Sequence, residues 1–186
     1  MKTSIIILTH NNLSLTKACI QSIEEHTEHY ELILVDNGST DGTVEYIQSL
    51  SNAKYIFNKE NLGFAKGCNQ GVGMATGEYI LFLNNDTIVT RNWLVNMLSV
   101  FEEDSRIAMI GPVSNNVSGI QRISVDSSTF QASDPVRTES GGDHFIYAHR
   151  LVGFCMLIKH AILEEVGLFD EQFELGSCED DDLCYR

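Results

Sequence analysis

The chain has 186 residues, 43% of them hydrophobic and 20% charged, which is typical of one globular domain. Its formal net charge of −14, without any basic stripe, argues against binding to nucleic acid through phosphate neutralisation. Its apolar runs are all far shorter than the roughly 20 residues that a membrane helix needs, so we expect no transmembrane segment.

Strands and helices alternate along the first part of the chain. Short apolar runs predict strands at residues 4–8, 31–36, 54–58, 78–83 and 107–113. Amphipathic spacing predicts helices at 15–27 (capped by Ser14), 44–50 and 92–104, and a Gly-rich helical stretch at 63–77. This rhythm predicts a mostly parallel sheet with helices on both faces.

The second part of the chain is less regular. Residues 114–150 are rich in Ser, Asp, Gly and Thr, and we expect loops there, with weak strand signals in QRISV (121–125) and HFIYAH (144–149). A strand is predicted at 151–158, followed by a short helix at 159–167 that ends on glycine. The final acidic run, CEDDDLCYR, has the composition of the first turns of a helix.

The five cysteines show no CxxC pair, and three lie in apolar or helical patterns. We therefore expect buried free thiols and a reducing compartment.

Polar residues crowd the ends of the predicted parallel strands. The segments that follow the five strands are THNN, DNGSTDGT, NKENLG, NNDT and SNNVSG. Ligands bind outside the carboxyl ends of such strands, and side chains of these types bind sugars, nucleosides and metals. The same residues are good turn formers, which explains any single loop more readily than all five together.

Two common nucleotide-binding classes are disfavoured. The sequence contains no Walker A motif, which excludes a P-loop nucleotide triphosphatase. The segment GVGMATG (71–77) has one residue too many for a dinucleotide fingerprint and precedes a strand where the fingerprint would follow one. A nicotinamide enzyme is therefore disfavoured.

Taken in order, the motifs of this chain resemble those of the family-2 glycosyltransferases. The segments that carry the resemblance are ILTHNN, ILVDNGSTDGT, NKENLGFAKGCNQG, GEYILFLNNDT, GFCMLI, GLFDEQF and EDDDLCYR. Members are inverting, nucleotide-sugar-dependent enzymes with a GT-A fold, and this chain looks like the bacterial rhamnosyltransferase-like members that build cell-surface polysaccharides. The resemblance implies a Rossmann-like α/β GT-A domain over 1–186, with a nucleotide-sugar-binding half (1–113) and an acceptor-side half (114–186). Members usually continue past the last motif, so it also implies truncation at the C-terminus.

The resemblance assigns roles on the donor side. LNNDT stands in the place of the DxD motif, which implies that Asp86, beside Asn84 and Asn85, holds Mg²⁺ or Mn²⁺. Many members carry Asp where this chain has Asn84, so we expect weak metal binding without nucleotide. Asp36 matches the carboxylate that accepts hydrogen bonds from the nucleobase. Thr9 and Asn11 match the family segment that wraps around the nucleoside. Asn61, Lys66 and Asn69 match a second segment, which lines the same pocket. Turn or helix capping is the alternative for Asp36 and the favoured role for Asp41.

The resemblance also places a general base in EDDDLCYR. Asp180 matches the residue that takes the proton from the acceptor hydroxyl while the oxygen attacks the anomeric carbon opposite the diphosphate. Glu179 and Asp182 remain alternatives for the base. A structural role is the alternative, because acidic residues in the first turn of a helix oppose the positive end of its dipole. Asp182 is also placed to pair with Arg186, four residues further along the helix.

The resulting expectation is an inverting, metal-dependent hexosyl- or deoxyhexosyltransferase with a UDP- or dTDP-linked donor and a glycan or lipid-linked acceptor. A non-catalytic donor-binding module is the first alternative. A sugar nucleotidyltransferase is the second, although those enzymes carry a Gly-rich loop with a basic residue where this chain has THNN. We expect a cytoplasmic protein, with peripheral contact at the inner face of the membrane through a missing C-terminal part.

Overall fold

The computed structural model describes residues 2–124 and 145–186, which form one six-stranded sheet covered by helices. The strands are β1 (Thr3–Thr9), β2 (Tyr30–Asn37), β3 (Ala53–Asn58), β4 (Tyr79–Asn84), β5 (Met109–Ile110) and β6 (Cys155–Lys159). The α-helices are α1 (Leu13–His26), α2 (Thr43–Ser49), α3 (Phe64–Val72), α4 (Trp93–Glu103), α5 (His160–Val166) and α6 (Glu179–Tyr185). Short 3₁₀ helices lie at Gly119–Gln121 and Glu171–Phe173.

The sheet is mixed and mostly parallel, with the strand order β3-β2-β1-β4-β6-β5. The first four strands in this order are parallel to one another, whereas β6 is antiparallel to both of its neighbours, β4 and β5. The predicted α/β, Rossmann-like architecture is confirmed. The chain builds outward from β1 to β3 and then places β4 on the other side of β1, so the strand order reverses between β1 and β4.

Both faces of the sheet are covered, because successive strand residues point to opposite sides. Ile5 and Ile7 belong to a buried cluster that includes apolar residues of α1, α2 and α4. Ile6 and Phe82 belong to a second cluster, which includes residues of α3, α5 and α6. The central strands are buried on both sides, which explains why their sequences are almost continuously apolar.

Two glycines allow α3 to approach β1 closely. Gly67 and Gly71 are four residues apart and so lie on the same face of the helix. A Cβ atom at Gly67 would lie 2.3 Å from a methyl group of Leu8, and one at Gly71 would lie 2.5 Å from a methyl group of Ile6. The Gly-rich stretch of the sequence therefore serves helix–sheet packing, and its helical part ends at Val72.

Three predicted boundaries are wrong. Helix α1 begins at Leu13 after Asn12, which has left-handed φ and ψ angles, so Ser14 is not the cap. The strand predicted at 107–113 contracts to β5, and Pro112 has no N–H to extend a ladder. The strand predicted at 151–158 begins only at Cys155, because the N–H groups of residues 152 and 153 bond to side chains elsewhere.

The two weak strand signals extend into residues outside the described ranges. QRISV includes residue 125 and HFIYAH includes residue 144. Of their described parts, Gln121 ends a 3₁₀ helix, Arg122 forms an isolated bridge with Ser114, and residues 145–149 contain no strand. Among the helices of residues 2–124 and 145–186, none is long and apolar enough to pass through a membrane.

Glu31 ties several segments together at the amino end of the sheet. Its side chain is only 10% exposed; its carboxylate accepts hydrogen bonds from Ser4 and Thr76 and forms ion pairs with Lys2 at 3.1 Å and Lys54 at 2.9 Å. Burial disfavours the charged form, but the hydrogen bonds from Ser4, Lys54, Thr76 and Lys2 outweigh it and hold the pKa of Glu31 well below its usual range. Ionised Glu31 therefore stabilises the fold.

We expect Glu31→Gln to lower the free energy of unfolding by about 2 kcal/mol at pH 7, in the range for hydrogen bonds to charged groups. Because folding lowers the pKa of Glu31, its contribution is present above the unfolded-state value and is lost as the pH falls through the folded-state value. Urea denaturation should thus show a difference between wild type and variant that shrinks below about pH 4. The exposed Glu103→Gln is the matched control, and a pH-independent difference would contradict the assignment.

Cysteine reactivity tests the core. Cys19, Cys68 and Cys155 are buried, and burial raises the pKa of each thiol, to about 12 for Cys19. Since the exposed thiolate is the reactive species, a maleimide at pH 8 should modify Cys178 first, because this residue is exposed. Mass spectrometry should show this fast modification lost in Cys178→Ser. Modification of a buried cysteine before unfolding would contradict the packing described above.

Candidate functional site

The carboxyl ends of β1 to β4 meet at one edge of the sheet, which we call the rim. The parallel register sets three pairs side by side there: Thr9 and Asp36, Leu8 and Asn84, Asn37 and Asn58. The reversal of strand order between β1 and β4 opens a crevice at this edge, the usual ligand site of open α/β sheets. The structure therefore brings the polar strand ends together as the sequence predicted.

Asp36 and Thr9 are fully buried at the rim and bonded to each other. The hydroxyl of Thr9 donates to Oδ1 of Asp36 at 3.0 Å, and the backbone N–H of Ser39 donates to Oδ2 at 2.9 Å. Asp36 thus orders the turn after β2. A carboxylate has about four lone-pair sites, so these two bonds leave capacity for a ligand N–H.

The loops after β1 and β2 interlock. The N–H of Asn11 donates to Oγ of Ser39 at 2.6 Å, and the side-chain oxygen of Asn11 accepts from the N–H of Thr40 at 2.8 Å. Asn11 has a φ of 59°, a left-handed conformation that asparagine tolerates better than most residues. Two adjacent loops of the rim are therefore held as one unit.

Asp41 caps two helices from this unit. Its Oδ2 accepts from the N–H of Leu13 at the start of α1, and its Oδ1 accepts from the hydroxyl and N–H of Thr43 at the start of α2. Hydrogen bonds from the Thr43 hydroxyl and the Leu13 amide lower the pKa of Asp41. The capping role favoured for Asp41 from sequence agrees with this geometry, and Asp41 supplies the cap expected of Ser14.

A network of side-chain amides fills the rim beside β3. Asn37 donates to Asn61 at 3.2 Å and accepts from Asn58 at 2.8 Å, and Asn58 exchanges two hydrogen bonds with Gln70 of α3. Sequence reasoning predicted only Asn61 from this network. Asn37 and Asn58 could have been found, because each is the last residue of its strand and the register of the two adjacent strands sets them side by side.

Lys66 and Asn69 both lie on α3 but differ in their surroundings. Lys66 is exposed and forms no hydrogen bond or ion pair within the described parts of the chain. Asn69 accepts from the N–H of Phe169 at 3.1 Å and donates to its carbonyl at 2.9 Å. Asn69 therefore fastens α3 to the segment after α5, while Lys66 is available to an anion.

The end of β4 presents Asp86 to solvent. The N–H of Thr87 bonds to the carbonyl of Asn84 at 3.3 Å, so Asn85 and Asp86 are the two central residues of a turn. Asn85 donates to the hydroxyl of Thr16 at 3.0 Å, which leaves its carbonyl oxygen facing no assigned donor in the described chain. Asp86 is exposed and has no hydrogen bond or ion pair in residues 2–124 and 145–186.

The carboxylate of Asp86 and the amide oxygens of the neighbouring asparagines fit a hard cation that takes most of its ligands from water and substrate. Within the described residues there is no group of three or more His, Cys, Asp or Glu side chains that could hold a metal. One unpaired carboxylate with neighbouring amide oxygens suits Mg²⁺ or Mn²⁺, since these ions bind through few carboxylates together with substrate phosphates.

One cleft of the structure is lined by Asn84, Asp86 and Asp180. Asp180 lies in the first turn of α6. Its Oδ2 accepts from the N–H of Gly153 at 2.7 Å, and its Oδ1 accepts from the N–H of Asp181 at 2.9 Å. Backbone amides thus hold a half-buried carboxylate at the wall of the cleft.

The acidic neighbours of Asp180 have other partners. Asp181 pairs with Arg150 at 2.8 Å, and Asp182 pairs with Arg186 at 2.9 Å, as the i, i+4 spacing predicted. The buried Glu179 accepts from the N–H of Ser177 at 2.6 Å. Glu179 and Asp180 both line the cleft and have no ion pair among the described residues, but Glu179 is buried whereas Asp180 is half-buried, so Asp180 is the more accessible of the two.

Sequence comparisons identify related proteins. The sequence model described as "Glycosyl transferase family 2" matches residues 4–167. An uncharacterised glycosyltransferase of Haemophilus influenzae is 31% identical over 113 residues, which cover 58% of this chain and 35% of that protein. The poly(ribitol-phosphate) beta-glucosyltransferase of Bacillus spizizenii is 30% identical over 144 residues, covering 73% of this chain and 22% of that protein. The matched region thus spans about a third or less of these relatives.

Solved structures share the fold. TarS 1-349 of S. aureus in complex with UDP-GlcNAc superposes with a TM-score of 0.72 at 22% identity, over 99% of this chain and 52% of that one. The mannosyltransferase PcManGT from Pyrobaculum calidifontis, in complex with GDP-Man and Mn²⁺, gives 0.71 at 17% identity, over 97% and 50%. These likenesses support the predicted GT-A fold. Since the family model covers most of the chain, this protein belongs to glycosyl transferase family 2.

Proposed function

We propose that this protein transfers a sugar from a nucleotide-diphosphate sugar to an acceptor hydroxyl, with inversion at the anomeric carbon. The observation that supports this proposal most strongly is the presence of two different carboxylates in one cleft. Asp86 is exposed and unpaired in the described residues, whereas backbone amides hold Asp180. The first is available to a cation that would bind the diphosphate of a donor, and the second is available to the hydroxyl of an acceptor.

On the donor side, Asp86 would hold a divalent cation, with the amide oxygens of Asn84 and Asn85 beside it. When bound, such a cation neutralises the charge that grows on the leaving diphosphate. We assign the nucleoside site to the interlocked loops of the rim, which carry Asn11 and the fully buried pair Thr9 and Asp36. Further donor contacts are assigned to Asn61, Lys66 and Asn69, of which the exposed lysine supplies positive charge. Mn²⁺ accompanies GDP-Man in the mannosyltransferase structure, which supports a metal-dependent donor site.

On the acceptor side, Asp180 accepts the proton of the attacking hydroxyl. The acceptor oxygen forms a bond to the anomeric carbon while the bond from that carbon to the diphosphate oxygen breaks. The electron pair of the broken bond leaves with the nucleoside diphosphate, and the proton remains on Asp180. Because attack and departure occur on opposite faces of the carbon, the configuration inverts.

The substrates follow from chemistry and from the relatives. We propose a UDP- or dTDP-linked hexose or deoxyhexose as donor and a glycan or lipid-linked acceptor. TarS binds UDP-GlcNAc, and the Bacillus relative is named for a poly(ribitol-phosphate) acceptor, which together support a role in cell-surface polymers. The five free cysteines support a reducing, cytoplasmic location.

Nucleotide binding tests the donor site. In a thermal-shift panel of UDP, dTDP, GDP and CDP, a nucleotide at a hundred-fold excess over its Kd should stabilise the fold by about 2.7 kcal/mol, or roughly 5 to 10 °C. The shift should require Mn²⁺ and should be lost in Asp86→Ala but kept in Glu103→Gln. If no nucleotide raises the melting temperature at saturation, the proposed donor site is wrong.

Replacement of the base tests catalysis. We expect Asp180→Asn to lower kcat by about 10²- to 10⁴-fold, the range for general acid–base catalysis, while the nucleotide-induced thermal shift stays unchanged. Asp182→Asn is the matched control, because it removes an acidic side chain of the same helix that pairs with arginine. A larger loss in Asp182→Asn would move the role of base to that residue. Binding without any transfer in the wild type would favour the alternative of a non-catalytic module.

A further inference from the structure

Gly153 and Phe154 connect the two sides of the cleft through consecutive backbone groups. The carbonyl of Phe154 accepts from the N–H of Asn84 at 2.8 Å, at the point where β4 ends. The N–H of Gly153 donates to Oδ2 of Asp180 at 2.7 Å. Two hydrogen bonds and one peptide unit therefore join the end of the strand that carries the Asp86 turn to the carboxylate of α6.

The missing side chain of Gly153 lets Asp180 approach the backbone closely. A Cβ atom at this position would lie 3.2 Å from both Cβ and Oδ2 of Asp180, tighter than ordinary van der Waals contact. Gly153 is not among the described residues with positive φ, so its backbone conformation does not itself demand glycine. The demand comes from the close approach of Asp180, and any larger residue must displace the carboxylate.

The partners of Gly153 and Phe154 are far apart in the sequence. Asn84 is brought to this segment because β6 pairs with β4 in the antiparallel direction, so the start of β6 lies at the end of β4. Asp180 comes from α6, whose Leu183 belongs to the same buried cluster as Met156 and Ile158 of β6. The N–H of Val152 also bonds to a side chain, Oε1 of the buried Gln121, at 2.8 Å. Three successive residues are thus fixed before the strand begins, which makes the segment a firm support.

We propose that Gly153 is a positioning residue for the transfer reaction: its N–H and its lack of a side chain set the place of the Asp180 carboxylate relative to the end of β4. The proposal rests on the proposed function, because Asp180 acts there as the base. Gly153 itself touches neither donor nor acceptor in this role. Its effect is on the distance between the base and the bound donor.

Steady-state kinetics of Gly153→Ala test the role. The added methyl group displaces the carboxylate by a few tenths of an ångström, and we expect kcat to fall on the order of ten-fold, with the donor KM within about two-fold of the wild-type value. The matched control is Gly73→Ala, where a Cβ would lie 3.4 Å from the nearest atom and φ is −60°, so activity should stay unchanged. An equal loss in both variants, or a loss through donor KM alone, would overturn the proposal.

A double-mutant cycle separates positioning from a general structural effect. If Gly153 acts through Asp180, adding Gly153→Ala to Asp180→Asn should cause no further loss of kcat. A full additional ten-fold loss in the double variant would show that Gly153 acts by another route. Nucleotide-induced thermal shifts of all variants should equal that of the wild type, which shows that the donor site persists.

An activity-independent measurement distinguishes failure of this proposal from failure of the proposed function. In amide NMR spectra of the protein, the Gly153 N–H resonance should move upfield in Asp180→Ala, because its charged acceptor is removed, while that of Gly73 should stay in place. An unmoved Gly153 resonance would overturn the positioning role. If the wild type transfers no sugar yet this resonance moves, the proposed function is wrong although the contact is real.

Discussion

The antiparallel pairing of β6 with β4 is the constraint on which the geometry of the cleft depends. Parallel strands bring only their carboxyl ends to the rim, so a strand of opposite direction is needed to bring the start of another segment there. The register that sets Leu83 against Cys155 places Phe154 and Gly153 directly beyond the end of β4. From this position the backbone reaches both Asn84 and Asp180.

The polar residues of the rim divide into two groups by their hydrogen bonding. Buried polar groups must be satisfied within the protein, since an unpaired one costs about 1–3 kcal/mol. Asp36, Asn37 and Thr9 meet this requirement through hydrogen bonds to groups on neighbouring strands and loops. The exposed Asp86 and Lys66 have no such bonds in the described residues. The first group makes the rim rigid, and the second leaves charged side chains exposed to solvent.

The acidic start of α6 serves more than one purpose. Carboxylates in the first turn oppose the helix dipole. Asp181 also joins α6 to Arg150, whereas Asp182 pairs with Arg186 at the end of the same helix. Arg186 further donates to the carbonyls of Val166 and Leu168, so the last turn of α6 is tied to the end of α5. Asp180 is thereby presented by a helix that is anchored at both ends, in a chain of net charge −14.

Much of the fold follows from periodicity, because the central strands are apolar without interruption and the helices between them are amphipathic. The order of the polar motifs also indicated the family, and the resemblance pointed to Asp86 as the candidate metal ligand and Asp180 as the candidate base. Local pattern could not show that Asn69 and Asn61 are bonded within the protein, since their partners lie elsewhere in the chain. It likewise placed the α1 cap at Ser14, whereas the acceptor is Asp41, 28 residues from Leu13.

The sequence by itself determined the strands, the two apolar faces and the polar residues at the strand ends, because side-chain periodicity and turn chemistry are local properties. Only the tertiary structure decided the direction of β6, the contraction of β5 and the contact between Gly153 and Asp180. These features depend on which distant segments meet. The physical reason is that the role of a backbone N–H group or of a small residue depends on which group packs against it.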